Sequence, residues 1–574
     1  MSWGDRGGRG RLELLVSAQA ERDPGARAVV DGAAECGYGE LENRANRLAR
    51  ALVDQGVGPG DRVCLMVPKS VSAIVAVLGV LKSGACYVPM DTASPARRLG
   101  RVLRRCGPCW VVADPGVSGL VAGCLDEAGP SSVRGVLWLG PVPEDFTAPA
   151  AVRPPVVPVG LDDGPAEPPP VRGDAGDLAY IMFTSGSTGE PKGVPVTHAS
   201  VRHFTSWANT RFGLGPGDRV SGHAPLHFDI SVWDVFGALT SGARLYLVPP
   251  HANLLPSLTA DFLRRTGLTQ WFSVPSVLVQ MARRDVVAYG DFPDLRRLIW
   301  VGEVFPAAAV RYWMERLPHV ELTNVYGPTE TTIASSHHTL TSVPGPGAPP
   351  VPIGRAIPGE RLAVLGADLA PLAPGVVGDL HIAGAGLSPG YWRDPAATAA
   401  AFREAPGGER WYRTGDLAAM DAEGVFHFHG RADRQVKARG HRVELDEIAV
   451  ALGRVRGLSA GAVVAVSGDG FEGTEICAAY VPVPGGGRGP AELRAELAGT
   501  LPPYMVPTRW LVLDSMPMTP NGKTDHRAIE HRFLDATRRP SGHGSPDADR
   551  RPAGPGSADR CADTRGSLER EVGA

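Results

Sequence analysis

Segments patterned as helices alternate along this chain with segments patterned as strands, and no other feature narrows its fold as much. Residues 41–53 (LENRANRLARALV) carry apolar side chains at helical spacing. Residues 62–67 (RVCLMV) read as a strand and residues 71–81 as a helix. Strands joined by helices pair in parallel, so the expected class is α/β. The chain has 574 residues, 43% of them hydrophobic, which is more than one core accommodates and predicts more than one domain. Residues 148–176, rich in Pro, Gly and Asp, read as a long surface loop. The alternation resumes to residue 428. Glycines and charges interrupt it around 430–440, and a shorter α/β stretch runs to about 535. Residues 538–574 are polar and low in complexity, and disorder is expected there.

Several function classes are disfavoured. A net charge of -3 offers no broad attraction to nucleic acid or to an acidic membrane. No apolar run reaches the length of a membrane span, and the first twenty residues lack the apolar centre of a signal peptide. Eight cysteines in so long a chain make no disulfide framework, so a cytoplasmic protein is expected. Cys106 and Cys109 form a lone C-x-x-C, better read as buried thiols than as half a zinc site, and Cys86 as a small buried residue. His337 and His338 are adjacent on an expected strand and face opposite ways, so they do not form a metal pair.

Only five of the 58 basic residues are lysine: Lys69, Lys82, Lys192, Lys437 and Lys523. Lysine and arginine differ in shape and donor geometry, so a lysine kept in an arginine-biased chain marks a place where arginine does not serve. Lys192 lies in residues 183–193, FTSGSTGEPKG, which follow the apolar strand-like run LAYIMF. A Gly/Ser/Thr loop after a strand can offer amides and hydroxyls to phosphate oxygens, with a lysine for charge. It is not a Walker A loop, because Pro191 precedes Lys192 and Gly193 follows it.

The order of residues in FTSGSTGEPKG resembles the phosphate loop of the adenylate-forming superfamily, specifically the amino acid adenylation domains of nonribosomal peptide synthesis. The resemblance continues in sequence order. YGELENRANRLA (38–49) and LKSGACYVPMD (81–91) precede the loop, and HFDISVWD (227–234) and NVYGPTETT (324–332) follow it. GDLHIAGAGLSPGYW (378–392), YRTGDL (412–417) and GRADRQVKARGHRVELDEI (430–448) come next, then LPPYMVP (501–507) and TPNGKTD (519–525). Four of the five lysines fall inside these motifs; Lys69 does not.

The resemblance implies a large N-terminal domain of α/β subdomains (1–430), a hinge (431–434) and a small mobile α+β C-terminal domain (435–537). It implies that a carboxylate attacks the α-phosphate of ATP to give an acyl-adenylate and pyrophosphate, and that the acyl group then passes to a phosphopantetheine thiol. Two anions must meet, so positioning and charge neutralisation carry the catalysis. By resemblance, Thr184, Ser185, Gly186, Ser187, Thr188, Gly189 and Lys192 hold the β- and γ-phosphates. Glu330 binds Mg2+, Tyr326 stacks near adenine with Asn324 and the turn of Gly327 and Thr329 around it, and Asp416 with Arg431 takes the ribose. Lys523 bridges the attacking carboxylate and the α-phosphate. Asp433 is the hinge about which Lys523 leaves the site and the loop from Lys437 to Gly440 enters it.

Asp229 stands where the family pairs an aspartate with a substrate ammonium group. The other positions matching the family's substrate pocket are Ile230, Trp233, Phe272, Ile299, Val301, Val325, Ile333 and Ala334, none of them charged. They predict a small or medium apolar amino acid: Ala, 2-aminobutyrate, Val or Pro, with a β-amino acid left open. Two other readings stay open: an acyl- or aryl-CoA ligase using free coenzyme A, against which Asp229 argues, and a non-catalytic ATP-binding scaffold, against which Lys523, Glu330 and Asp416 argue. Departures from the family pattern, such as Val301-Gly302-Glu303 for Gly-Gly-Glu, lie outside the phosphate chemistry and read as drift. No phosphopantetheine attachment motif, condensation motif or thioesterase elbow is recognisable, so a stand-alone enzyme loading a peptidyl carrier protein in trans is expected, with participation of an MbtH-like activator left open.

Overall fold

The computed structural model describes residues 10–538, apart from residues 108, 131, 150–154, 187–189, 254, 406, 468–473, 486–487 and 520. Ser187, Thr188, Gly189 and the tail from 539 onward lie outside the described residues.

The apolar run VSAIVAVLGVLK forms the helix Val71–Lys82, opened by Ser70, whose hydroxyl accepts the Ala73 amide at 3.3 Å. Its sequence is apolar on every face, and from Ala73 onward it is buried. That is possible because it lies between two sheets, touching the strands Arg62–Met66 and Cys86–Pro89 of one and Arg27–Asp31 of the other. The neighbouring helix Tyr38–Asp54 and strand Arg62–Met66 match the periodicity read from the sequence.

Among the described residues, one sheet has seven strands and one nine, and most neighbours within each are parallel. The fold is therefore the α/β class expected from the alternation. Residues 148–176 are not wholly loop, because the strand Val156–Val159 adds an edge to the seven-stranded sheet. A third sheet of five strands runs from Glu360 to Arg431.

In the nine-stranded sheet Arg219–Gly222, Gln270–Ser273, Arg297–Trp300 and Glu321–Tyr326 run parallel, so their carboxyl ends share one edge. The register aligns Phe272 with Ile299 and Thr323, and Ser273 with Trp300 and Asn324. Ligands of open α/β sheets bind beyond such carboxyl ends. Residues after Arg434 build a separate small core, with Val443, Ile448, Leu452, Val463, Leu493 and Met505 buried against one another. They carry the hairpin Gln435–Ala438/His441–Glu444 and a three-stranded sheet. No helix among the described residues is long and apolar enough to cross a membrane.

Candidate active site

The strands Leu178–Thr184 and Lys192–Thr197, which flank the glycine-rich segment, pair antiparallel with Thr184 opposite Lys192. The Thr184 hydroxyl donates to the Lys192 carbonyl at 3.5 Å. Gly186 is required by space, since a Cβ there would stand 2.2 Å from the Glu190 carbonyl oxygen. Ser185 Oγ donates to the carbonyl of Arg442 at 2.9 Å, a contact from the loop to the small C-terminal unit. Lys192 Nζ lies 5.4 Å from the centre of the Tyr391 ring.

Beyond the end of Glu321–Tyr326 the chain turns through Gly327, where a Cβ would meet the Ala334 backbone at 2.6 Å. Thr332 and Ile333 then take left-handed backbone, with φ of 60° and 71°. For β-branched residues this is strained, and such strain gathers where a site dictates the conformation. The turn carries Glu330, whose carboxylate is 1% exposed. Oε1 accepts the Tyr391 hydroxyl at 2.7 Å and Oε2 the Arg442 guanidinium at 2.7 Å. Burial pushes this carboxyl up, but the Arg442 charge and the Tyr391 hydrogen bond outweigh it and hold it below the ordinary glutamate range.

Asp416 accepts from the Tyr326 hydroxyl on one oxygen and from Arg431 on the other. Arg431 also grips both oxygens of Asp433, at 2.7 and 2.8 Å. Asn324 donates to the Pro352 carbonyl at 2.8 Å. These groups line a cleft of about 2100 Å³, together with Ile230, Phe272, Val325 and Lys437.

Asp229 directly precedes the helix Ile230–Ser241. No ion pair reaches it among the described residues. Burial raises its carboxyl above the ordinary aspartate range, against the Thr329 hydroxyl, the Ile230 amide and the more distant Lys437 charge. Of the remaining positions assigned to the substrate pocket, Trp233, Ile299, Val301, Ile333 and Ala334 are buried and do not line the cleft. Trp233 meets Phe272 edge-on with ring centres 4.9 Å apart, and its indole N–H donates to Asn209 at 3.3 Å. The Phe272 wall of the cleft is therefore backed by Trp233.

The two lysines of the C-terminal motifs lie in different places. Lys437 stands in the cleft, its Nζ 5.9 Å from the Tyr326 ring centre, and burial lowers its pKa. Lys523 is exposed, on a turn closed by the Thr519 amide and the Lys523 carbonyl at 2.7 Å, and it does not line the cleft. Between Lys437 and Arg442 the hairpin is seated against the large domain. The Gly440 amide donates to Glu303 Oε1 at 2.7 Å, and the other Glu303 oxygen takes the Ser276 amide at 2.8 Å. His441 stacks on Tyr504 at 3.7 Å and meets Phe228 edge-on. Behind the hairpin, Arg98 and Glu447 form a buried ion pair across the two units.

Arg442, Tyr391 and Glu303 were not singled out as site residues from the sequence. Each sits within or beside a quoted motif, but their contacts join residues more than a hundred positions apart or separate loops, for which one sequence carries no signal. Glu303, read there as part of a drifting Gly-Gly-Glu, holds the Gly440 amide.

The family model described as AMP-binding enzyme matches residues 16–392, and that of the AMP-binding enzyme C-terminal domain matches residues 447–523. The phosphinothricin tripeptide synthetase PhsB of Streptomyces viridochromogenes is 38% identical over 90% of this chain, which spans 42% of that protein's length. An L-proline–[L-prolyl-carrier protein] ligase of Streptomyces coelicolor is 35% identical over 92% of this chain and 97% of its own. Among solved structures, the Vibrio cholerae adenylation domain AlmE in complex with glycyl-adenosine-5'-phosphate superposes with a TM-score of 0.77. It is 26% identical, and the match covers 93% of this chain and all of that one.

Proposed function

Because the chain belongs to the AMP-binding enzyme family, we propose that it activates an amino acid as its aminoacyl-adenylate and passes the aminoacyl group to a phosphopantetheine thiol on a carrier protein in trans. A substrate carboxylate oxygen attacks the α-phosphorus of ATP, the bond to the bridging oxygen breaks, and pyrophosphate leaves. The thiol sulfur then attacks the acyl carbon, AMP departs with the acyl oxygen, and the thiol proton passes to water.

Asp229 is the observation that carries the choice of an amino acid over a simple acid. A carboxylate half-withdrawn from water with no cation within ion-pair distance is unfavourable until one arrives, and the substrate ammonium supplies it. The apolar cleft wall of Ile230, Phe272 and Val325, with Trp233 packed on Phe272, favours a small or medium apolar side chain: Ala, 2-aminobutyrate, Val or Pro. The prolyl-carrier ligase relative supports the carrier-bound acceptor. Thr184, Ser185, Gly186 and Lys192 would hold the outer phosphates, and Asp416 with Arg431 the ribose. A buried carboxylate such as Glu330 suits a hard cation, so it would hold Mg2+ when Arg442 has withdrawn. Mg2+ there would neutralise phosphate charge.

Lys437 in the cleft and Lys523 outside it support reading this arrangement as the one for acyl transfer, with rotation near Asp433 bringing Lys523 in for adenylation. The test is ATP–pyrophosphate exchange with each proteinogenic amino acid, 2-aminobutyrate and several β-amino acids. Exchange with one small apolar amino acid, falling at least about a hundredfold in Lys523→Ala (~3 kcal/mol), is expected. Exchange only with acids lacking an amine would overturn the reading in favour of an acyl- or aryl-CoA ligase.

A further inference from the structure

Lys69 is the one lysine outside the recognised motifs. It follows the strand Arg62–Met66 of the seven-stranded sheet and reaches across to the nine-stranded one. Its Nζ donates to the carbonyls of Gly222 at 2.8 Å and His223 at 2.9 Å, the last residue of the strand Arg219–Gly222 and the one after it.

Those two residues begin the segment that ends in Asp229. Asp234, 2% exposed and one turn into the helix Ile230–Ser241, accepts the amides of His223 at 3.0 Å and Ala224 at 3.3 Å. His223 is therefore held through its amide by a carboxylate and through its carbonyl by an ammonium. Its ring accepts the Trp271 indole N–H at 3.0 Å. Asp234 Oδ1 has no hydrogen-bond partner, so the nearby Lys69 charge offsets part of its burial. Burial in turn pushes the Lys69 ammonium down to about 8, against the attraction of Asp234 and Asp31. An ammonium is compact and its donors rotate, which suits two consecutive carbonyls; a guanidinium is longer and planar and would displace them.

We propose that Lys69 is a positioning residue for Asp229 and, through it, for the ammonium group of the amino acid. The inference rests on the reading of Asp229 given above. By clamping the start of the 222–229 segment while Asp234 clamps the helix behind it, Lys69 sets where the Asp229 carboxylate stands relative to the cleft.

The experiment compares exchange kinetics of the wild type and Lys69→Met, using the activated amino acid and its analogue lacking the amine. In Lys69→Met, KM for the amino acid should rise about tenfold or more while KM for ATP stays within about twofold, and preference for the amine should fall by the same factor. Lys69→Arg keeps the buried charge but moves the donors; it should show the same split, smaller, and carries the readout if Lys69→Met does not fold. Equal losses for ATP and amino acid, or an unchanged preference for the amine, would overturn the role of Lys69 alone. A wild type that does not prefer the amine would overturn the Asp229 reading, and this inference with it.

Discussion

Glu330 and Asp229 are acidic side chains that follow strands of the nine-stranded sheet, and their environments push them in opposite directions. Glu330 has its cation inside the protein, Arg442 at 2.7 Å, and is held below the ordinary range. Asp229 has no cation within ion-pair distance, and burial holds it above that range. A carboxylate whose charge is already matched can only exchange its partner, as Glu330 would when Arg442 withdraws. A carboxylate whose charge is unmatched favours any cation that fits. The first arrangement suits a switch between states, the second a site for an ammonium ligand.

The comparison breaks most visibly at Asp229. Asp229→Ala should lower kcat/KM for the amino acid by about a hundredfold or more (~3 kcal/mol), the scale for removing one partner of a desolvated charge pair. Exchange kinetics check this; a loss below about threefold would mean that the ammonium is bound elsewhere.

At Glu330 the effect should fall on the second half-reaction. Arg442→Ala leaves a buried carboxylate without its charge partner in the arrangement with Lys437 in the cleft, a change on the order of 3 kcal/mol. Transfer to a phosphopantetheine carrier should fall tens- to a hundredfold while pyrophosphate exchange falls less. Single-turnover measurement of the two steps separates them, and equal losses would contradict the division of roles.

The smallest effect concerns stability. Asp229 has its pKa raised on folding, so its contribution is fully present below the unfolded value of 3.8 and is lost as pH rises through the raised folded value. Glu330 runs the other way: its contribution is present above the unfolded value of 4.5 and is lost as pH falls through the lowered folded value. Asp229→Asn should therefore stabilise the ligand-free protein at neutral pH by about 1 kcal/mol while lowering activation no more than Asp229→Ala does. Thermal melts at pH 7 and pH 4 check it: the gain should shrink at the lower pH, and an unchanged melting temperature at pH 7 would show that Asp229 is not strained by burial.

Much of the fold was legible because its signals are local. The periodicity of residues 41–53 and 71–81 emerges as the helices Tyr38–Asp54 and Val71–Lys82, and LAYIMF as the strand Leu178–Thr184. The strand Val156–Val159 was missed because two of its four residues pack only partly at a sheet edge, within a stretch whose composition reads as loop. In the site, residue types and their order in the motifs picked out Asn324, Tyr326, Asp416, Arg431 and Lys437, which the fold brings to one cleft. They did not indicate that Trp233, Ile299 and Val301 would lie buried behind the cleft wall.

The sequence by itself determined the α/β class, the glycine loop and the acidic and basic residues available to the chemistry, because period, turn geometry and side-chain charge belong to short stretches of chain. Only the tertiary structure decided which of them are partners. Glu330 meets Arg442 across 112 residues, and Lys69 meets the carbonyls before Asp229 across 153 and 154. Such pairings are set by how the sheets and the small C-terminal core pack, and that packing also places Lys437 in the cleft and Lys523 in solvent.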